Sequence, residues 1–339
     1  MAETPSERAQ DPSSRTALAR RALEAYDLAD PQLEFLRHNE NLTFKVTARR
    51  QQSPFLLRIH STALPGLDPC WRTPAAIESE LLWIEAIARD TNVTVQQPVR
   101  TRTGETVSSL EMPDGQHVLC TLLRWIDGEP FPAKDSGETA LARQFGLTVA
   151  ALHAHGSSWR APPRFHRPAY NTEFVLRAMD RLRPGVEEGL FAAEDLAVLG
   201  KTVDRIGQMA EALGTDPTHW GLIHADMDGS NMLVHDGDVS PIDFSLCGFG
   251  HFCFDLSICV AGLGEELRGP FLEGYTERRE LGPDAHRLIE AFAIVGIIAC
   301  CALHIGRPES REWLTRRMPV FANEYARSVL DGKPYLLDD

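Results

Sequence analysis

Hydrophobic periodicity changes character near residue 128, and no other feature constrains the fold as much. Before that point, short alternating or apolar runs at 33–37, 42–48, 55–60, 93–99 and 117–125 are bounded by turn-forming or polar residues, the pattern of an antiparallel sheet. One helix interrupts them over 74–89, with Thr73 as N-cap and Pro74 at the first helical position. Beyond Asp127-Gly128-Glu129-Pro130 the helical period dominates, over 139–155, 172–182, 193–213, 283–305 and 309–330. The expectation is an α+β chain of two lobes. A small antiparallel β lobe (15–126) meets a larger, mainly α-helical lobe (127–339) at a hinge over 125–128, and the polar residues 1–14 are disordered.

Composition narrows the function. A chain of 339 residues with 43% apolar content can bury the cores of two lobes. A formal net charge of −14 argues against a nucleic-acid or anionic-membrane partner, since both are bound through basic surface. The chain opens on no export signal, and seven cysteines then fit a reducing, cytoplasmic location with buried thiols. The longest apolar run, 291–303, is too short to span a bilayer and reads as a core helix.

Chemistry concentrates between Gly221 and Phe244. Asp226 follows the apolar pair Leu222-Ile223, Asn231 comes five residues later at a strand start, and Asp243 ends a strand over 239–242. Phosphoryl transfer from a nucleotide needs such parts: a carboxylate to orient and deprotonate the acceptor hydroxyl, and two oxygen ligands for Mg²⁺ beside the phosphates. His224 is expected to brace the loop, because the spacing leaves Asp226 nearer the acceptor.

A second constellation lies in the first lobe. Strand alternation puts Leu56, Arg58 and His60 on one face of 55–60, opposite Phe55, Leu57 and Ile59. On the following helix Ile77, Glu80, Ile84 and Ile87 recur at helical spacing, so the Glu80 carboxylate falls in line with an apolar stripe. A charge on a buried face needs a partner. Arg58 paired with Glu80 is the economical solution, with Glu78 and Glu85 as alternatives.

These segments, together with Glu40-Asn-Leu-Thr-Phe-Lys-Val46, Leu122-Leu-Arg-Trp-Ile-Asp-Gly128, Leu152-His153 and Phe254-Asp-Leu256, resemble the aminoglycoside phosphotransferase and choline kinase-like family over about 35–263. The wording is similar above all to the branch of homoserine kinases and stress-response kinases. The resemblance implies a protein kinase-like fold, with Asp226 as catalytic base, Asn231 and Asp243 as magnesium ligands, and Arg58, paired with Glu80, on the nucleotide phosphates. It further implies that Asn41 and Thr43 lie on the loop over the phosphates, that the backbone of Leu123, Arg124 and Trp125 meets the adenine, and that Asp255 braces the catalytic loop. The implied cofactors are Mg²⁺ and ATP, with GTP equally compatible with backbone contacts to the base.

The chain departs from that pattern in three places. The phosphate-covering stretch 38–44 has no glycine, Arg58 stands where protein kinases carry lysine, and Ser245 follows Asp243-Phe244 where glycine is common. Cys247, His251, Cys253 and Cys259 lack the paired spacing of a zinc site. His153 and His155 suit a helix C-terminus. Trp159, Phe165, His166 and Tyr170 either wall a substrate pocket or anchor a long connector.

The functional expectation is an ATP-dependent phosphotransferase acting on a hydroxyl of a small molecule: an amino alcohol, an aminoglycoside or a homoserine-like acceptor. A Ser/Thr protein kinase of the stress-response type, or a nucleotide-binding regulatory protein with little turnover, are the alternatives. Only eleven residues separate Asp243 from Asp255, too few for a phospho-regulated activation loop, and the complete Asp226, Asn231 and Asp243 set argues for turnover. Acceptor specificity is expected from 161–181 and 264–280.

Overall fold

The computed structural model describes residues 12–38, 41–60, 69–112, 115–132 and 138–337. Alternation in the first lobe yields a five-stranded antiparallel sheet in the order β1 (Ala29–His38), β2 (Asn41–Arg49), β3 (Phe55–His60), β5 (His117–Arg124), β4 (Ser108–Glu111). Phe44, Val46, Leu57, Ile59 and Leu122 share one buried face. Helix α1 (Pro12–Leu23) covers that face through Ala19, Ala22 and Leu23. This helix begins inside the stretch expected to be disordered; residues 1–11 of that stretch lie outside the described residues. Its apolar stripe is built largely of alanine, a weak periodic signal.

The opposite sheet face carries Leu56, Arg58 and His60, as alternation requires, and meets helix α2 (Pro74–Asp90). Thr73 caps this helix by accepting the Ala76 N–H at 3.1 Å, a bond worth about 1 kcal/mol. The stretch 93–99 is not the strand expected. It meets β5 only around Pro98, where the Val99 N–H is donated to the Leu122 carbonyl (2.7 Å) and the Gln97 carbonyl accepts from Arg124 (2.8 Å), and Ser108–Glu111 pairs along the other part of β5.

In the second lobe, β6 (Glu129–Pro130) pairs with β8 (Met232–His235), which pairs with β9 (Asp238–Pro241); β7 (Trp220–Ile223) pairs with β10 (Gly248–His251). Helices α3 (Thr139–Ser158), α4 (Thr172–Glu187), α5 (Ala193–Leu213), α6 (Phe252–Gly262), α7 (Glu265–Thr276) and α8 (Ala285–His304) surround them. α3 and α7 meet backbone to backbone: a Cβ on Gly146 would sit 2.0 Å from the Phe271 carbonyl oxygen, and one on Gly274 would sit 2.0 Å from that of Arg143. α6 has no helical period to read because it is apolar on nearly every side.

The helix expected over 309–330 is interrupted. It divides into α9 (Arg311–Val320), a π-helical turn (Phe321–Ala326) and α10 (Arg327–Asp331), with Pro319 withdrawing an N–H just before the turn. α8 is longer than the apolar run 291–303 and is long and apolar enough to cross a membrane by length and composition. In the fold more than half of it is buried, packed against α4, α5 and α6 as a core helix.

Candidate active site

β7 ends at Ile223 and hands the chain to a loop whose backbone is held from below. The Asp255 carboxylate, fully buried on α6, accepts the N–H of His224 at 2.8 Å and that of Ala225 at 2.6 Å. Ala225 takes a left-handed φ of 66°, which a residue with a Cβ adopts at some strain. Two charge-assisted bonds to consecutive amides offset that strain. His153 continues the chain of contacts, with Nε2 3.2 Å from Asp255 and Nδ1 3.0 Å from the Tyr275 hydroxyl. Burial, opposed by Asp255, leaves the His153 pKa below its ordinary value, so the neutral ring donates to Asp255 and accepts from Tyr275. His153 therefore does more than pack a helix end. His155 likewise ties elements together, through Trp83 Nε1 at 3.2 Å and Asp90 at 3.4 Å.

His224 is fixed in one tautomer. Its Nε2–H donates to the Ile242 carbonyl at 3.0 Å, and Nδ1 accepts the Asp226 N–H at 3.3 Å. Burial lowers its pKa against the pull of Asp255, and protonating Nδ1 would break its bond to Asp226. The ring links the Asp226 loop to the segment leading to Asp243.

Asp226 and Asn231 are held together directly. The Asn231 amide group donates to the Asp226 carboxylate at 2.8 Å and to its backbone carbonyl at 2.9 Å. With both amide hydrogens used, the side-chain oxygen is the group Asn231 can offer to a cation. Asp243 lies across the cleft in a left-handed conformation, φ 60°. Its Oδ1 is buried without a hydrogen bond and lies 3.5 Å from Arg58 Nη1; Oδ2 lies 3.7 Å from Arg37 Nη2. Burial would raise the Asp243 pKa, but Arg58, Ser245, Arg37 and His224 outweigh it and hold the carboxyl below its ordinary value. An ionised carboxylate with an orphaned buried oxygen fits a metal ligand. Among the described residues no three His, Cys, Asp or Glu side chains cluster to hold a metal alone, which suits an ion such as Mg²⁺ that relies on phosphates and water for its remaining ligands.

Of the three candidate carboxylates, Glu80 meets Arg58, at 2.6 Å, with both side chains almost wholly buried. Glu85 pairs with Arg100 instead, and Glu78 is exposed. Burial works against the Arg58 charge, but Glu80 and Asp243 more than compensate and raise its pKa.

Asn41 and Thr43 lie on β2, not on a loop. Arg72 donates to the Asn41 side-chain oxygen, and the Thr43 hydroxyl donates to the Arg37 carbonyl at 3.1 Å. Residues 39 and 40 of the expected phosphate-covering stretch lie outside the described residues. At the hinge, the N–H groups of Arg124 and Trp125 are donated to the carbonyls of Gln97 (2.8 Å) and Pro54 (3.2 Å). Leu123 is buried beside them.

Sequence reasoning missed Arg37 and Arg167. Arg167, in the connector after α3, donates to the carbonyls of Cys247 (2.6 Å), Ser245 (2.5 Å) and Ala76 (3.2 Å), stapling the segment after Asp243 to α2. The connector aromatics divide. Trp159 and Phe165 pack on each other as anchors, whereas Tyr170 walls a cavity of about 780 Å³ that opens beside Asp226. The 161–181 segment contributes Tyr170, Phe174, Arg177, Ala178 and Arg181 to the lining. The 264–280 segment contributes only Arg268, and much of the remainder comes from α6, α8 and the residues beyond.

A phosphotransferase enzyme family model matches residues 32–289. The chain belongs to that family. It is a kinase with an alcohol group as acceptor. Amicoumacin kinase of Bacillus subtilis (strain 168) is 23% identical over 273 residues, 76% of this chain and 75% of its own. The structure of a microcompartment-associated aminopropanol kinase superposes with a TM-score of 0.77 at 25% identity, covering 95% of this chain and 99% of its own. An amicoumacin kinase solved with AMP-PNP and Ca²⁺ gives 0.76 at 20% identity, covering 96% of this chain and 97% of its own. These likenesses agree with the two-lobed kinase-like fold built above.

Proposed function

We propose that this family member transfers the γ-phosphate of ATP to a hydroxyl of a small molecule seated in the cavity beside Asp226. The observation that carries the reading is the convergence across the cleft: Arg58, held by Glu80, reaches 3.5 Å from Asp243, while Asn231 locks onto Asp226 at 2.8 Å. Asp226 then orients the acceptor hydroxyl and receives its proton as the new O–P bond forms. Arg58 presents its guanidinium to the phosphates, and Arg37 stands ready to do the same from β1. A Mg²⁺ ion held by the Asn231 amide oxygen and the Asp243 carboxylate would neutralise phosphate charge. Since the Arg124 and Trp125 N–H groups are committed, the adenine would meet carbonyl oxygens at this part of the hinge. The concave, partly open cavity favours a small acceptor over a polypeptide.

The test is Mg²⁺-dependent phosphate transfer from ATP across amino alcohols, aminoglycosides, sugars, hydroxy acids and a generic protein substrate. Asp226→Asn should lower kcat about 10²- to 10⁴-fold while nucleotide binding persists. Transfer surviving in that variant would remove Asp226 from the base role.

A further inference from the structure

The connector after α3 runs along the segment that follows Asp243 and ties it residue by residue. Arg167 donates from Nη2 to the Ser245 carbonyl at 2.5 Å and from Nε to the Cys247 carbonyl at 2.6 Å, and the Tyr170 hydroxyl donates to the Leu246 carbonyl between them at 2.7 Å. The Phe249 N–H is donated to the Pro168 carbonyl at 2.9 Å, and the Tyr170 N–H to the Phe249 carbonyl at 2.7 Å. Gly248 permits this close approach, since a Cβ there would sit 2.5 Å from the Pro168 carbonyl oxygen. The whole stretch 245–249 therefore lies against the connector.

The same connector grips α2 beside Glu80. The His166 N–H is donated to the Ser79 hydroxyl at 2.8 Å, and Arg167 Nη1 donates to the Ala76 carbonyl at 3.2 Å. The contacts close into a ring. Asp243 meets Arg58 at 3.5 Å, Arg58 meets Glu80, α2 leads through Ala76 to Arg167, and Arg167 returns to Ser245 and Cys247. Arg167 is 8% exposed, and among the described residues its partners are these three carbonyl oxygens and the Trp71 ring, whose centroid lies 4.8 Å away. Such a guanidinium contributes through direction: its planar fork sends N–H groups to three carbonyls at once, which an ammonium cannot match. The ring of contacts encloses a strained residue. Asp243 keeps a left-handed φ of 60°, a conformation that persists in a residue with a Cβ only where the surroundings over-determine it.

We infer that Arg167 is a positioning residue for the metal. By fixing 245–249 against α2 it holds the Asp243 carboxylate in place before Mg²⁺ and nucleotide arrive, so that no conformational step is needed to assemble this side of the cleft. The inference rests on the proposed role of Asp243 as a magnesium ligand. Groups that orient a metal ligand from behind are worth about 10- to 100-fold in metal affinity.

The test titrates AMP-PNP into the full chain by calorimetry with and without Mg²⁺, and the ratio of the two affinities reads the contribution of the metal. Arg167→Met should lower that ratio about 10-fold or more while the metal-free affinity holds. Arg167→Lys, which keeps the charge and loses the fork, should lower it too. Gly248→Ala should act from the other side, forcing Pro168 away with Arg167 intact. Amide hydrogen exchange without metal or nucleotide supplies an independent reading. The Cys247 and Phe249 N–H groups, donated to the Phe244 and Pro168 carbonyls at 2.9 Å, should exchange faster in all three variants. An unchanged ratio, a metal-free affinity that falls as far as the Mg²⁺-dependent one, or native exchange rates at Cys247 and Phe249 would each overturn the inference. If Arg167→Met does not fold, Arg167→Lys and Gly248→Ala decide by the same readings. A native chain whose AMP-PNP affinity ignores Mg²⁺ would instead remove the metal role of Asp243, and the metal half of the inference with it, while exchange at Cys247 and Phe249 still decides whether Arg167 fixes the segment.

Discussion

Removing Glu80 isolates one of the most deeply buried charges in the protein. In Glu80→Ala the Arg58 guanidinium, 3% exposed, keeps Asp243 as its remaining anion. Breaking a buried ion pair by deleting one member costs about 3–5 kcal/mol. Across the 3.5 Å from Arg58 Nη1 to Asp243 Oδ1, two full charges attract by on the order of 5 kcal/mol at an effective dielectric of about 20. Asp243 therefore absorbs part of the loss, and the expected destabilisation falls near the lower bound, ~3 kcal/mol. The same compensation has a functional consequence. Arg58, released from Glu80, moves onto the carboxylate proposed to bind Mg²⁺, so Mg²⁺-dependent nucleotide affinity should fall as well. Replacing both residues, as Arg58→Met with Glu80→Leu, removes the charge along with its partner and should restore most of the stability. Urea unfolding of the native chain, both single variants and the double variant completes the cycle, with nucleotide titrations run in parallel. If the single losses sum to the double loss within about 0.5 kcal/mol, the pair is not coupled and the reasoning fails.

Asp243→Ala should weaken Mg²⁺-dependent nucleotide binding far more than metal-free binding, as read by titration with and without Mg²⁺; equal affinities would refute the metal role. The buried histidines predict an acid-sensitive fold. Burial lowers the pKa values of His60, His153, His155 and His224, and takes that of His251 to about 4. The unfolded chain then binds more protons than the fold, so the stability is fully present above about pH 6.5 and is lost as pH falls toward about 4. Urea midpoints that stay level between about pH 7 and 5 would contradict this.

The site was legible where its determinants are short-range. Asp226 and Asn231 sit five residues apart on one loop, and the Arg58–Glu80 pair follows from strand alternation and one helical stripe. Legibility ended where a partner is chosen by tertiary register. The 93–99 stretch has the alternation of a strand, but β5 accepts Ser108–Glu111 along its edge and meets the earlier segment only in a short bridge around Pro98. Asn41 and Thr43 have the chemistry of phosphate ligands, yet Arg72 and Arg37 engage them from elsewhere in the lobe. Arg167 reaches backbone carbonyls some eighty residues away, a contact without any local pattern. The cavity is the extreme case, since its arginines come from α4, α7 and α9 and share no spacing in the chain.

Helix α6 serves two purposes on two of its faces. Asp255 points to the catalytic loop, whereas Phe254, Ile258 and Ala261, at helical spacing one position away, line the cavity. In evolutionary terms the two faces can be selected separately. Substitutions at 258 and 261 reshape the space offered to an acceptor while the two amide bonds to Asp255 persist, so descendants of this chain can change what they phosphorylate without relearning how.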